Sequence, residues 1–178
     1  RLKGEIGIRF AEAKESIKLL DGQHYELSDN TLVIADESGA IAMAGIMGGE
    51  STAVSNTTTT IFLESAFFSP RSIMGRARQY GLHTDASHRF ERGVDPELAL
   101  QALERFSSLL VSICGGEPGP VVHASINKYL PVPKSVILRS SRITRVLGET
   151  IADKRIAEIL QRLGFTTKKN KDKWLVTI

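Results

Sequence analysis

The chain has 178 residues, 42% hydrophobic and 24% charged, with a formal net charge of +3 at neutral pH. That composition fits one domain, or one domain and part of another, and lies well away from disordered and membrane-embedded classes. No apolar run approaches the roughly 18 residues of a membrane span, and the single cysteine, Cys114, allows no internal disulfide, so a reducing, cytoplasmic setting is expected.

The opening RLKGEIGIRF carries neither an initiator Met nor a signal-peptide core, and a cut from a longer chain is expected. Charge is unevenly distributed. Residues 1–127 hold 11 basic and 16 acidic side chains, residues 128–178 hold 12 and 4, so an acidic body precedes a basic tail. The split suggests two modules, the second either facing an anion such as nucleic acid or presenting a solvated basic face for solubility.

In chain order, IKLLDGQHYEL (residues 17–27) sets Asp-Gly between two strand-like runs, a hairpin signal. TLVIAD (31–36) and AIAMAGIMGG (40–49) read as buried strands, and TTTTIFLESAFF (57–68), β-branched and aromatic, as another. Ser69-Pro70 opens a short helix ending near Gly81. Asp95-Pro96 opens a second helix, whose apolar residues from Leu98 to Ile113 recur at helical spacing until Gly115-Gly116 closes it. Gly81–Gly93 is then the connection between two helices. LPVP (130–133) is a linker, followed by the strand SVILR, a helix after Ser140-Ser141, a helix from about Ala152 to Leu163, and the basic-tipped hairpin FTTKKNKDKWLVTI. Strand, two helices and a wing-like hairpin resemble helix-turn-helix units in outline.

GLHTDASHRFERGVDPE (81–97) concentrates the reactive side chains. A Ser-His-Asp triad from His83, Asp85 and Ser87 is disfavoured, because Ser87 lacks a nucleophile-elbow context and triad members this close in sequence rarely meet correctly. One Cys and four scattered His give no paired zinc spacing. Arg89, Glu91, Arg92 and Asp95 read as a charge network fixing the loop's shape. GIMGGE (45–50) lacks the Gly-Lys-Ser/Thr ending of a phosphate loop, so its glycines serve a tight turn or a close approach to a ligand. Glu64 interrupts the apolar run IFLESAFF; it points either to the solvent side of a strand or into a partly dry pocket that needs a donor.

AGIMGGE, IFLESAFFSP, GRARQYGLHTDASHRFERGVDP and ALERFSSLLVSICGGEPGPV, in that order, closely resemble the bacterial phenylalanyl-tRNA synthetase beta-subunit family. The resemblance implies an α+β fold, with mixed and antiparallel β layers and packed helices over 1–129, the editing domain with its N-terminal part absent. A partial helix-turn-helix-like α+β module follows over 130–178. It implies a subunit of an enzyme that joins phenylalanine to its tRNA with ATP and magnesium, as a heterotetramer of two alpha and two beta subunits. In that family the beta subunit hydrolyses tyrosine wrongly esterified to the tRNA. The resemblance makes Glu64 the acceptor for the tyrosine hydroxyl, which favours the pocket. It places Gly48 and Gly49 at a turn against the amino acid, and Thr84 and Ala86 along the same pocket. His83 is a candidate water-activating group, and the general base is unassigned. Further pocket residues, a histidine and an asparagine, fall upstream of Arg1. The small domain's magnesium-binding acids would follow Ile178, so no metal or cofactor is expected on this chain. The alternative implied is a non-catalytic tRNA-binding or subunit-assembly module using Arg139, Arg142, Arg145, Lys168, Lys169, Lys171 and Lys173.

Overall fold

The structure is a computed structural model that describes residues 2–177. It divides into two compact units, Arg1–Leu130 and Pro131–Ile178. Both are α+β, with antiparallel sheets and helices.

The first unit is built on six short strands: β1 (Gly7–Phe10), β2 (Ser16–Lys18), β3 (His24–Glu26), β4 (Leu32–Asp36), β5 (Gly39–Met43) and β6 (Met47–Gly48). β1, β4, β5 and β6 form one sheet in that order, while β2 and β3 pair as the expected hairpin with a five-residue connection, Leu19–Gln23. A register shift between Ile34 and Ala35 explains why Val33, Ile34 and Ala35 are all buried: the bulge turns successive side chains toward the same interior. The core beneath joins these strands to Phe68, Ile73, Ala77 and Leu82. Glu15 fastens three segments together. It takes a bidentate ion pair from Arg9, both contacts 2.7 Å, and accepts from the backbone N–H groups of Glu12 and Ala40.

Several elements differ from the sequence expectation. Residues 40–49 are two strands rather than one, because Gly45, at φ +66°, reverses the chain between β5 and β6. Residues 57–68 form no strand. A β-rich sequence becomes a strand only when a neighbour accepts its backbone ladder, and none of the described strands pairs with it. The helix expected over 69–81 is broken into α1 (Pro70–Ile73) and α2 (Arg76–Gln79) by Gly75 at φ +76°. The connection from Gly81 to Gly93 contains a helix of its own, α3 (Asp85–Phe90). α4 (Leu98–Cys114) forms at the expected place and ends on Gly115, but it buries none of its residues.

The second unit follows its reading closely: β7 (Ser135–Arg139), α5 (Ser140–Leu147), α6 (Asp153–Arg162), β8 (Thr166–Asn170) and β9 (Lys173–Thr177). β9 lies between β7 and β8, and Lys171 at φ +53° turns the β8–β9 hairpin. Ile156, Trp174 and Val176 are its buried centre.

Candidate functional site

The glycine turn between β5 and β6 is held from both sides. A Cβ on Gly45 would lie 3.1 Å from the Phe90 ring and 3.2 Å from the Phe68 ring, so the turn packs backbone directly on two aromatic side chains. Those rings meet each other at 5.3 Å between centroids, tilted by 47°. Gly48 receives Leu20 closely: its carbonyl accepts from the Leu20 N–H at 3.1 Å, and a Cβ would sit 3.3 Å from the Leu20 methyl carbon. Gly49 cannot carry a side chain because a Cβ there would run into the Ile41 carbonyl oxygen. For Gly49, then, the close approach that excludes a side chain is to a neighbouring strand.

Thr84 ties α3 to this turn. Its hydroxyl donates to the Ile46 carbonyl at 2.8 Å and accepts from the Ser87 N–H at 3.0 Å, while the Thr84 N–H donates to Ser87 Oγ at 3.1 Å. This reciprocal cap starts the helix and fixes its first turn. Thr84 therefore offers a ligand its methyl face and its position, its hydroxyl being already engaged. Ala86 is half-buried, the second residue of the same helix. Ser87 is buried, and its hydroxyl hydrogen goes to the Thr84 carbonyl at 2.9 Å. That leaves no proton for His83 to abstract, and His83 and Asp85 are both exposed. No nucleophilic triad is assembled.

Glu64 stands four residues before Phe68, whose ring anchors the segment to the glycine turn. Ser65 anchors it a second time, donating to the Ala99 carbonyl at 2.8 Å. The Glu64 residue keeps an exposed surface, yet surrounding protein desolvates its carboxyl and pushes its pKa upward. Together these describe a partly desolvated carboxylate, neither sealed in nor free in bulk water. Among the described residues it has no hydrogen-bond or ion-pair partner.

The expected network of Arg89, Glu91, Arg92 and Asp95 is smaller than its sequence suggests. Arg92 pairs with Glu91 at 2.8 Å and reaches His88, whereas Asp95 instead accepts from the Glu97 N–H ahead of α4 and Arg89 makes no ion pair among the described residues. In the second unit the basic residues divide. Cross-strand register puts Arg139, Lys168 and Lys173 on the sheet face opposite Trp174. Lys171 is at the hairpin tip, and Arg142 and Arg145 are exposed on α5. Lys169 turns inward, pairing with Asp153 and lying 5.6 Å from the Trp174 ring centre. It is engaged in holding α6 to the hairpin. Among the described residues no three or more His, Cys, Asp or Glu are grouped to hold a metal ion, and none of the helices is long and apolar enough to cross a membrane.

Residues 1–115 match the family model described as the B3/4 domain, and residues 136–178 match the tRNA synthetase B5 domain. The matched B3/4 span contains the glycine turn, Glu64 and the whole of α3. The chain belongs to the phenylalanine-tRNA ligase beta-subunit family. Among relatives in that family, the beta subunit of Nitrosococcus oceani is 53% identical over 178 residues, all of this chain. Those of Idiomarina loihiensis and Dickeya dadantii are 52% and 51% identical over 99% and 98% of it. The chain spans 22% of the length of each of these beta subunits. Of the positions singled out from sequence, Gly48, Thr84 and Ala86 belong to elements joined by direct contacts, and Glu64 is joined to them through Phe68. Phe90 and Ile46, which make the joints, were missed. Phe90 lies in the HRFER stretch, whose charges drew attention away from its one aromatic side chain.

Proposed function

We propose that the B3/4 unit of this chain is the editing site of a phenylalanine-tRNA ligase, hydrolysing the ester of tyrosine wrongly attached to the phenylalanine tRNA. The chemistry calls for such a site. A pocket built for a phenyl ring cannot strongly reject the same ring bearing a hydroxyl, whereas a second pocket that accepts a hydrogen bond from that hydroxyl is left with an unpaired acceptor when phenylalanine enters. The observation that carries the reading is the carboxyl of Glu64, partly desolvated and without a partner among the described residues, on a segment packed against the glycine turn and α3. In this reading the tyrosine hydroxyl donates to Glu64, the ring lies along the Gly48 backbone and the Ala86 methyl group, and the ester lies near the start of α3.

Water attacks the ester carbonyl, and the ribose oxygen leaves as the tRNA's terminal hydroxyl, taking up a proton. No Ser or Cys nucleophile is required, in keeping with the fully engaged hydroxyl of Ser87. His83 directly precedes Thr84 and is the candidate for orienting the water. ATP, magnesium and the charging reaction belong to the alpha subunit in this proposal, and the two subunits assemble as a heterotetramer of two alpha and two beta chains in the cytoplasm.

The test is Glu64→Ala in the assembled enzyme. Loss of a hydrogen bond to a charged acceptor is expected to slow tyrosyl-tRNA hydrolysis about 10- to 100-fold while phenylalanine charging stays intact. Wild-type hydrolysis by the variant would remove Glu64 from the site. A second reading, a tRNA-binding or assembly module in the B5 unit, is favoured by Arg139, Lys168 and Lys173 sharing one sheet face. It requires tRNA affinity to fall steeply with salt and to fall again when those three are neutralised.

A further inference from the structure

We infer that the first unit carries a phosphate-binding site for the RNA strand, apart from Glu64 and the glycine turn and adjoining the proposed editing chemistry at His83, formed by Arg78, His83, His88 and Arg92. These side chains line a depression of about 280 Å³ whose floor is Ala77, Leu82 and Ser87. All three floor residues are buried, so the rim stands on packed structure. Two arginines and two histidines thus converge within a region, residues 1–127, that holds more acidic than basic side chains. Two guanidinium charges with imidazole nitrogens beside them, set against an acidic body, mark a place where a polyanion can be held while the remaining surface repels it.

The donors are free. Arg92 uses Nη1 on Glu91, on the His88 carbonyl and on His88 Nδ1, and its Nη2 and Nε make no bond among the described residues. His88 Nδ1 lies 3.1 Å from Arg92 Nη1, so the imidazole sits against the guanidinium. Arg78 and His83 side chains make no hydrogen bond or ion pair among the described residues. The two imidazoles lie 6.2 Å apart between centroids. Glu91, the one acid in the lining, is already neutralised by Arg92 at 2.8 Å. A planar guanidinium fork with adjacent N–H donors is the pattern that recognises phosphate oxygens.

The choice of an RNA phosphate over a free one rests on the proposed editing function. α3 carries its cap Thr84 and then Ala86 at its start and His88 within its last turn, a span of about 6 Å from Thr84 to His88 along the helix. An aminoacyl end held at the start of α3 would bring the phosphate of a neighbouring nucleotide to the rim. Nothing in the acid–base step passes through Arg78 or Arg92, so they act on binding and leave the chemistry alone.

The experiment uses the beta subunit assembled with its alpha partner, as Arg78→Ala, Arg92→Ala, the double variant, and the double Arg→Lys variant. KM and kcat for tyrosyl-tRNA hydrolysis are measured over a series of potassium chloride concentrations, and tRNA binding is followed separately by fluorescence anisotropy. For the double alanine variant, KM and the anisotropy Kd are expected to rise about ten-fold. The salt slope is expected to flatten by about 1, and kcat to stay within about two-fold. Lysines should restore most of the loss, which a merely misfolded surface would not allow. Unchanged KM, Kd and salt slope would overturn the site, as would a fall in kcat at constant KM. Inorganic phosphate is the remaining arm: inhibition by phosphate that depends on the arginines, with tRNA binding untouched by their loss, would overturn the RNA assignment. Glu64→Gln in the same assays separates the two ideas. If it leaves hydrolysis unaffected while the arginine variants lose tRNA affinity, the tyrosine reading fails and the phosphate site stands.

Discussion

In the first unit 15 buried apolar residues form one cluster under a sheet and a hairpin, and the candidate site rests on top of it. In the second unit three residues, Ile156, Trp174 and Val176, form the buried centre, and the surrounding helices and strands are largely exposed. The contrast separates two ways of supporting function. A site that must hold an aromatic ring and a water in register needs elements that packing has already fixed. A basic surface that meets a phosphate backbone needs charge at approximate positions, which a small unit can supply.

The comparison breaks most readily at Trp174. It is the sole tryptophan of the chain and is 4% exposed. It also receives Lys169 over its ring and donates to Ser140 Oγ at 3.3 Å. Trp174→Ala is expected to cost about 3–5 kcal/mol, enough to unfold a unit of this size. Proteolysis should then cleave freely among the lysines and arginines of the second unit while the first stays resistant. Equal resistance of both units in the variant would mean that the second has support beyond its three-residue centre. In the wild type, tryptophan fluorescence reports on the second unit alone, so its melt can be compared with the far-ultraviolet signal of the whole chain.

The same contrast shows which parts of the architecture were legible in sequence. The second unit was read almost element by element, because each piece is closed locally: Ser140 follows the strand, Gly148 and Gly164 end the helices, and a basic turn joins two alternating strands. In the first unit the β2–β3 hairpin, β4 and α4 were equally plain. The failures all concern non-local partners or competing caps. Residues 57–68 have every strand propensity and no ladder to join. α3 was missed because its reciprocal cap uses Ser87 at the third helical position, where Glu or Gln is the familiar signal. Gly75 was read as helix interior, although its positive φ breaks the helix there. For the site, residue types and family resemblance pointed to Glu64, Gly48, Thr84 and Ala86. The contacts that join them, Thr84 to Ile46 and Gly45 to Phe68 and Phe90, depend on chain reversal and have no signature in sequence.

Glu15 sharpens the comparison through pH. The Arg9 guanidinium hydrogen-bonded to it is the main cause that lowers its carboxyl from an ordinary 4.5 to about 2, with the Glu12 and Ala40 N–H groups adding to the effect against the opposing pull of burial. A carboxylate depressed in the folded state contributes stability that is present above the unfolded pKa and is lost as pH falls through the folded one. The window is therefore roughly pH 4.5 down to 2. After allowance for solvent screening of the partly exposed Arg9, Glu15→Gln is expected to destabilise the first unit by about 1–2 kcal/mol at neutral pH. The wild type and variant should converge near the acid end of that window, in melts followed by circular dichroism. A constant difference across pH would show that the loss comes from packing and not from charge.

The smallest effect is expected at Glu64, with the opposite sign. Burial raises its pKa, so the folded state disfavours the ionised form. Such a group leaves stability intact below the unfolded pKa and removes some as pH rises through the folded one. Glu64→Gln should therefore melt slightly higher than the wild type at neutral pH and identically near pH 3, while editing is impaired. A charge kept where burial disfavours it, and paired with no described residue, is what the proposed role in binding a tyrosine hydroxyl requires. If the glutamine variant melts lower than the wild type at neutral pH, the carboxylate is holding the fold together. Its availability to a tyrosine hydroxyl would then be lost as an explanation.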